Sequence, residues 1–150
     1  MLGRDEMLET IRGHGSTVLL PFSGGKDSLV SWLVLRDAGF RVVPFYMQMI
    51  PGLSFVERTL DYYQEWFEIH IYRVIYLNLY HWLRTHAWQP LERHAVLDML
   101  DLPRFTYIDV NRGVSRTAGF AETLWCGVGI RLADSPIRKM SMLMQGPINL

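Results

Sequence analysis

The sequence predicts an α/β fold, a single doubly wound domain over residues 1–150 with a mainly parallel sheet flanked by helices. Apolar, β-rich segments alternate with segments of helical periodicity, which is typical of a parallel sheet covered by helices. A glycine-rich turn joins the first of these strands to a helix. Hydrophobic residues make up 49% of the 150 residues, enough to bury one core. Ligands of such sheets bind at the carboxyl ends of strands where strand order reverses, so we expect the site there.

The first βα unit is the clearest part of the pattern. Residues 3–12 predict a short polar helix, which the glycines around His14 end before a first strand at 17–22. A helix is predicted over 26–38, with Gly39 as its C-terminal stop. The residues expected to bury this helix are Leu29, Val30, Leu33 and Val34.

The second and third strands surround another helix. Residues 41–47 predict the second strand, in which Pro44 indicates an irregular or edge position. The pattern Ser54-x-x-Glu57 predicts a capping box for a helix at about 55–68. Residues 69–78 are β-rich and predict the third strand.

The C-terminal half is less regular. Residues 79–102 predict helix in two pieces divided near Gln89–Pro90, whereas 106–120 does not favour one structure. Residues 123–130 predict a buried fourth strand. Ser135–Pro136 then predicts the start of a final helix, because proline favours the first helical position. Gly146–Pro147 predicts its end.

The turn after the first strand has the composition of an anion site. Its run is Phe22-Ser23-Gly24-Gly25-Lys26-Asp27-Ser28. Two glycines allow positive φ and close backbone approach, and the following helix directs N–H groups and its positive dipole end at the ligand. Ser23 and Ser28 add hydroxyls, and Lys26 adds charge. The spacing excludes a Walker A loop, which needs Gly-x-x-x-x-Gly-Lys-Ser/Thr.

The pattern Ser-Gly-Gly-x-Asp-Ser resembles the PP-loop of the adenine nucleotide α-hydrolase-like superfamily, which has a Rossmann-like fold. That superfamily includes the N-type ATP pyrophosphatases and the phosphoadenosine phosphosulfate (PAPS) reductases. The resemblance implies that residues Ser23, Gly24, Gly25, Lys26, Asp27 and Ser28 bind the phosphates of an adenine nucleotide. It also implies that Asp27 can help to place a Mg²⁺ ion.

A second segment strengthens the resemblance to the PAPS reductase-like branch. Residues 129–138 resemble the Gly-Ile-Arg-x-x-Glu/Asp-Ser-x-x-Arg motif of that branch, in which the arginines lie near the sulfate or phosphate end of the nucleotide. Guanidinium groups bind such oxygens in bidentate fashion. The positions carried over are Gly129, Arg131, Asp134, Ser135 and Arg138. A helix cap with two surface arginines is the alternative interpretation of this segment.

The family resemblance also suggests where adenine and the reacting bond lie. Adenine is expected against the ends of the first two strands, where Tyr46 and Met47 are candidates beside Pro21 and Phe22. Lys26 and Arg131 are the expected catalytic residues. The bond acted on is a phosphosulfate of PAPS or adenylyl sulfate, or a phosphoanhydride of ATP.

Cysteine content separates this chain from a complete PAPS reductase. Reductases of this family attack sulfur with a cysteine in a C-terminal tail, whereas Cys126 is the only cysteine here. Cys126 is predicted to be buried in a strand and inert. A thiol-donor or sulfur-transfer protein is therefore an expected partner. The alternatives are an ATP pyrophosphatase or adenylyl-transferring enzyme, and a non-catalytic nucleotide-binding module.

Other features argue against further cofactors and partners. The formal net charge is +0, so there is no strong nucleic-acid signal. The spacing of the five histidines predicts no zinc site, and one cysteine predicts no iron–sulfur cluster. No signal peptide or membrane span is predicted, which favours a cytoplasmic protein. Aromatic residues between 62 and 88 are expected in the core or in a homodimer interface.

Overall fold

The computed structural model describes residues 4–128 together with Pro136, Met140 and Met144. The strands of this part are β1 (Thr17–Pro21), β2 (Arg41–Gln48), β3 (Tyr72–Ile75) and β4 (Trp125–Cys126). The helices are α1 (Arg4–His14), α2 (Lys26–Asp37), α3 (Ser54–Phe67), α4 (Leu77–Arg84), α5 (His94–Met99) and α6 (Tyr107–Thr117). A 3-10 turn at Leu91–Arg93 precedes α5. None of the helices in this part has the length and apolar character needed to cross a membrane.

The strands form one four-stranded parallel sheet in the order β3-β2-β1-β4, flanked by helices. The predicted α/β class with a parallel sheet is therefore confirmed. Val18 pairs with Trp125 between β1 and β4, and Phe45 pairs with Tyr72 between β2 and β3. The order reverses at β1, because the next strands in sequence lie on one side of it and β4 lies on the other. The carboxyl end of β1 is thus at a topological switch point.

The chain divides into two compact units, 1–43 with 125–150 and 44–124. The division falls within β2, between Val43 and Pro44. The buried apolar side chains of the first unit are Val18, Leu19, Leu20, Phe22, Trp32, Leu35, Phe40, Val42 and Val43. Those of the second unit are Pro44, Phe45, Leu60, Ile71, Leu77 and Val114. A single domain over 1–150 stays a prediction.

Helix α2 has the predicted position, but the expected buried face is wrong. Its buried residues are Ser28, Trp32 and Leu35. Val30, expected in the core, is 56% exposed. The apolar residues of α2 lie on two faces, so the helical period alone did not decide which face meets the sheet.

The capping box expected at α3 is wrong as well. Leu53 is the N-cap residue, and no side chain makes a capping hydrogen bond there. The Glu57 carboxylate instead accepts hydrogen bonds from Gln48 Nε2 and Arg73 Nε, each at 2.8 Å. Glu57 therefore connects α3 to the last residue of β2 and to Arg73 of β3.

Strand β2 carries its proline without becoming an edge strand. Pro44 is fully buried, and β2 lies between β3 and β1. Pairing with β3 begins only at Phe45, one residue after the proline. The expected edge position is therefore wrong. Strand β3 is also shorter than predicted, because α4 begins at Leu77.

The segment 106–120, which the sequence left open, contains α6. Its N-terminus has a true capping box: Asp109 N–H donates to Thr106 Oγ1 at 3.3 Å, and Thr106 N–H donates to Asp109 Oδ2 at 2.9 Å. The Thr106 hydroxyl also donates to Asp109 Oδ2, and this bond is the main cause that lowers the pKa of Asp109. The two pieces predicted within 79–102 correspond to α4 and α5.

The fourth strand is shorter than predicted and is half-buried, since β4 covers only Trp125 and Cys126 among the described residues 123–128. Gly127 continues the contact with β1, since its N–H donates to Leu19 O at 2.8 Å. A Cβ at Gly127 would lie 3.3 Å from Val18 Cγ1, so the two strands approach closely there. The predicted strand end at 129–130 and most of the final helix lie outside the described residues. Pro136, Met140 and Met144 are each helical.

The aromatic residues between 62 and 88 are not all in the core, and a homodimer interface stays a prediction for the exposed ones. Half or more of Tyr62 and Trp66 is exposed, and Trp88 is 88% exposed. On α3 the rings of Tyr62, Tyr63, Trp66 and Phe67 contact one another.

Candidate functional site

The glycine loop follows β1 directly, at the switch point of the sheet. Phe22 begins the loop and is only 1% exposed. Its ring packs edge-to-face on Trp32 of α2, with 5.0 Å between the ring centroids. This contact holds the start of the loop against α2, the helix that follows the loop. The burial also corrects the expectation that Phe22 can contact adenine, since a buried ring has no face for a ligand.

The two glycines have different backbone roles. Gly24 has a φ of +73°, a conformation that side chains disfavour. Gly25 has φ −82° and ψ 161° and is the N-cap residue of α2. Gly25 has no side chain that could make a capping hydrogen bond. The first-turn N–H groups of any α-helix and the positive end of its dipole point toward its N-terminus, which here is the end joined to the loop.

The two serines hold the loop against the first turn of α2. Ser23 N–H donates to Ser28 Oγ at 3.2 Å, and the two hydroxyl oxygens are 3.1 Å apart. The Ser28 hydroxyl donates to Gly25 O at 2.9 Å. Gly25 N–H lies 3.4 Å from Ser23 Oγ, at the long limit of a hydrogen bond. Both ends of the loop are thus connected through one buried hydroxyl.

Lys26 and Asp27 are the charged residues of the first turn. Lys26 is exposed and is the first residue of α2, whereas Asp27 is half-buried. A cation at a helix N-terminus opposes the helix dipole, which costs about 0.3–1 kcal/mol. Helix stability therefore does not explain the position of Lys26, whereas an anionic ligand would.

The other predicted contact residues belong to the second unit or lie outside the described part. Tyr46 and Met47 are half-buried in β2, where they pair in register with Arg73 and Val74 of β3. These two residues belong to the second unit, and the loop belongs to the first. The second motif, with Gly129, Arg131, Asp134, Ser135 and Arg138, lies outside the described residues.

Cys126 is in a strand, as predicted, but it is not fully buried. It lines an apolar cavity of about 290 Å³ in the first unit. The wall of this cavity is formed by residues of α1, α2 and β4, among them Met7, Leu8, Ile11, Val34 and Trp125. This cavity contains none of the loop residues 22–27.

No group of three or more metal-ligating side chains occurs in the described ranges. A Mg²⁺ ion placed with the help of Asp27 stays a prediction, since Mg²⁺ is commonly held by one or two carboxylates together with nucleotide phosphates and water. His86 and His94 stack with 4.4 Å between ring centroids, and His86 Nε2 is 3.0 Å from Asp98 Oδ1. The sequence spacing of these histidines gave no sign of this contact.

A polar cluster at the end of β2 was also missed. Gln48 is the last residue of β2 and is 8% exposed. Its amide donates to Glu57, which also binds Arg73; Arg73 Nη2 lies 3.2 Å from Asp61 Oδ1. The sequence contained one indication of this cluster, namely Arg73 within an apolar strand. A partly buried arginine needs a carboxylate partner.

The comparisons with known proteins add no family to this geometry. No model of a known protein family matches the chain, and no curated protein matches its sequence.

Proposed function

We propose that this chain is a PAPS reductase-like PP-loop protein that binds an adenine nucleotide through residues 23–28. The nucleotide is PAPS, adenylyl sulfate or ATP, and the bond acted on is its phosphosulfate or phosphoanhydride bond. The observation that carries the proposal is the Ser-Gly-Gly-Lys-Asp-Ser loop at the carboxyl end of β1, where the strand order reverses.

Three features of the loop support anion binding. Gly24 has the positive φ that turns the backbone toward a ligand. The N-cap residue of α2 is Gly25, which has no side chain to occupy the helix N-terminus, a preferred place for a phosphate. Lys26 is exposed at that same end and supplies a charge that the helix itself does not favour.

The second motif completes the proposed site. It begins three residues after Cys126, and β4 is the neighbour of β1. Arg131 and Arg138 are proposed to bind the sulfate or terminal phosphate from the side opposite Lys26. Lys26 and Arg131 would then stabilise the negative charge that develops on the leaving group, the main contribution expected in this chemistry.

The bond that is cleaved determines whether a partner protein or a metal ion is required. Attack on sulfur needs a thiolate, and a separate thiol-donor or sulfur-transfer protein is proposed to supply it. Cleavage of ATP instead needs Mg²⁺, which Asp27 and the phosphate oxygens would hold. An ATP pyrophosphatase or adenylyl-transferring enzyme is therefore the second candidate, favoured by the carboxylate in the first turn.

Calorimetry tests the proposal directly. ATP, adenylyl sulfate, PAPS and adenosine 3′,5′-bisphosphate are titrated into the protein with and without Mg²⁺. Tight binding of PAPS or the bisphosphate without metal is expected for the reductase-like function. Binding of ATP that requires Mg²⁺ favours the second candidate, and pyrophosphate and AMP should then appear with a suitable acceptor.

The double variant Lys26→Ala/Arg131→Ala should lose at least a hundredfold in affinity, since two charge-assisted contacts of about 1.5–3 kcal/mol each are removed. The matched control is Arg36→Ala, which removes one charge from the other end of α2, about 15 Å away along the helix. Circular dichroism checks that each variant is folded. Unchanged nucleotide affinity in the folded double variant would refute the proposed site.

A further inference from the structure

The hydrogen bonds within the loop separate the roles of its two serines. A serine hydroxyl has one proton to donate and two lone pairs that accept. The Ser28 proton is donated to Gly25 O at 2.9 Å, since a carbonyl oxygen can only accept. In its two other contacts, with Ser23 N–H at 3.2 Å and Ser23 Oγ at 3.1 Å, Ser28 Oγ must accept.

Ser28 has no remaining hydrogen-bonding capacity for a ligand. Its single proton and both lone pairs have partners inside the loop. It is also only 8% exposed, whereas Ser23 is exposed. A phosphate oxygen therefore meets Ser23 before Ser28.

The Ser23 hydroxyl, in contrast, can change its hydrogen-bond partners. Its hydroxyl must be the donor to Ser28, because the Ser28 proton is already used. Its oxygen also accepts the long 3.4 Å bond from Gly25 N–H. A turn of the Ser23 side chain about its Cα–Cβ bond moves Oγ toward an anion and leaves Ser28 with its bonds to Gly25 O and Ser23 N–H, so the loop keeps its connection. The same movement releases Gly25 N–H for the anion.

We infer that Ser28 is a positioning residue that holds the loop without touching the nucleotide, and that Ser23 is the hydroxyl that turns to donate to the phosphate. This inference rests on the proposed function for its ligand. It differs from the expectation that both serines bind phosphate directly. Ser28 acts through the backbone, because its bonds to Ser23 and Gly25 flank Gly24 and orient the N–H groups of the turn.

The test uses the full chain, the variants Ser28→Ala, Ser28→Thr and Ser23→Ala, and inorganic pyrophosphate and ATP as probes. Amide NMR spectra without ligand report the loop itself. Ser28→Ala should shift the Gly24 and Gly25 amide resonances before any ligand is added and lower both affinities by a similar factor. Ser28→Thr keeps the hydroxyl and should restore the resonances and most of the affinity.

Ser23→Ala should lower the affinity for both probes about ten- to a hundredfold, the factor expected for one hydrogen bond to a charged group. If Ser28→Ala weakens pyrophosphate binding while the ligand-free Gly24 and Gly25 resonances stay in place, Ser28 contacts the anion itself and the inference is wrong. If Ser23→Ala binds pyrophosphate and ATP with the affinity of the parent protein, Ser23 does not donate to the phosphate and its inferred role is wrong.

Failure of the proposed function has a different signature. If the parent protein binds neither probe nor any adenine nucleotide, the proposed function and the role of Ser23 both fall. The ligand-free spectra of Ser28→Ala and Ser28→Thr still decide whether Ser28 positions the loop, because that measurement needs no ligand.

Discussion

At the scale of single residues, the loop depends on backbone conformation more than on side-chain size. Gly24 and Gly25 are adjacent and chemically identical, but only Gly24 has a positive φ. A left-handed conformation costs a residue with a Cβ about 1–2 kcal/mol. At Gly25 a Cβ would meet only Ser23 Oγ, at an ordinary 3.4 Å.

Alanine substitutions at Gly24 and Gly25 should therefore distinguish the cost of a left-handed backbone from the cost of an added side chain. Gly24→Ala is expected to lower the free energy of unfolding by about 1–2 kcal/mol because of its φ. Gly25→Ala should change it by less than about 0.5 kcal/mol, since the lost N-cap preference and the reduced unfolded-state entropy oppose each other. Urea denaturation of both variants measures the difference. Equal destabilisation by the two would contradict the assigned conformations.

At the scale of elements, two capping-box patterns had different outcomes. Ser54-x-x-Glu57 was predicted from sequence, but Glu57 binds Gln48 and Arg73, which are remote in sequence. The Thr106 and Asp109 pair was not predicted, yet it forms a complete box at α6. A capping-box sequence makes the two capping hydrogen bonds possible. Whether they form depends on the charged side chains that the tertiary fold places beside the glutamate or aspartate.

The α6 box predicts a pH dependence of stability. Hydrogen bonds from Thr106, together with the charge of Arg112, hold the pKa of Asp109 below its usual value. A group with a depressed folded pKa stabilises the fold above its unfolded pKa, near 3.9, and loses that contribution as pH falls through the folded pKa. Asp109→Asn should therefore destabilise the protein at pH 7 and much less near pH 2.

Urea midpoints of the parent and Asp109→Asn at both pH values measure this effect. Glu122→Gln is the control, since it makes the same carboxylate-to-amide change at an exposed residue outside the described helices. A difference between parent and Asp109→Asn that is the same at both pH values would show that the carboxylate charge does not act through the box.

At the scale of the whole molecule, one segment carries many exposed apolar side chains. Large apolar side chains are exposed throughout 88–108, including Trp88, Leu91, Val96, Met99, Leu100, Phe105 and Ile108. Apolar side chains of this kind mark an interaction surface where they form a contiguous patch. A homodimer remains a prediction.

Nucleotide binding should stabilise the whole chain if it is one domain. A ligand at a hundred times its Kd adds about 2.7 kcal/mol to the free energy of unfolding, or roughly 5–10 °C in Tm for a chain of this size. Scanning calorimetry should show one transition that moves by this amount with the nucleotide that binds best. Adenosine, which lacks phosphates, is the ligand control, and Lys26→Ala is the protein control. Two transitions, of which only one moves, would contradict the single domain.

The sequence by itself determined the order of strands and helices around the loop and the turn at its centre. These features depend on neighbouring residues, namely the apolar run before Phe22, the two glycines and the helical period after Lys26. The tertiary structure alone decided which face of α2 is buried, where Glu57 binds and that the Ser28 hydroxyl is saturated. Each of these depends on groups placed by the fold: the sheet beneath α2, Arg73 of β3, and the loop backbone folded against the first helical turn.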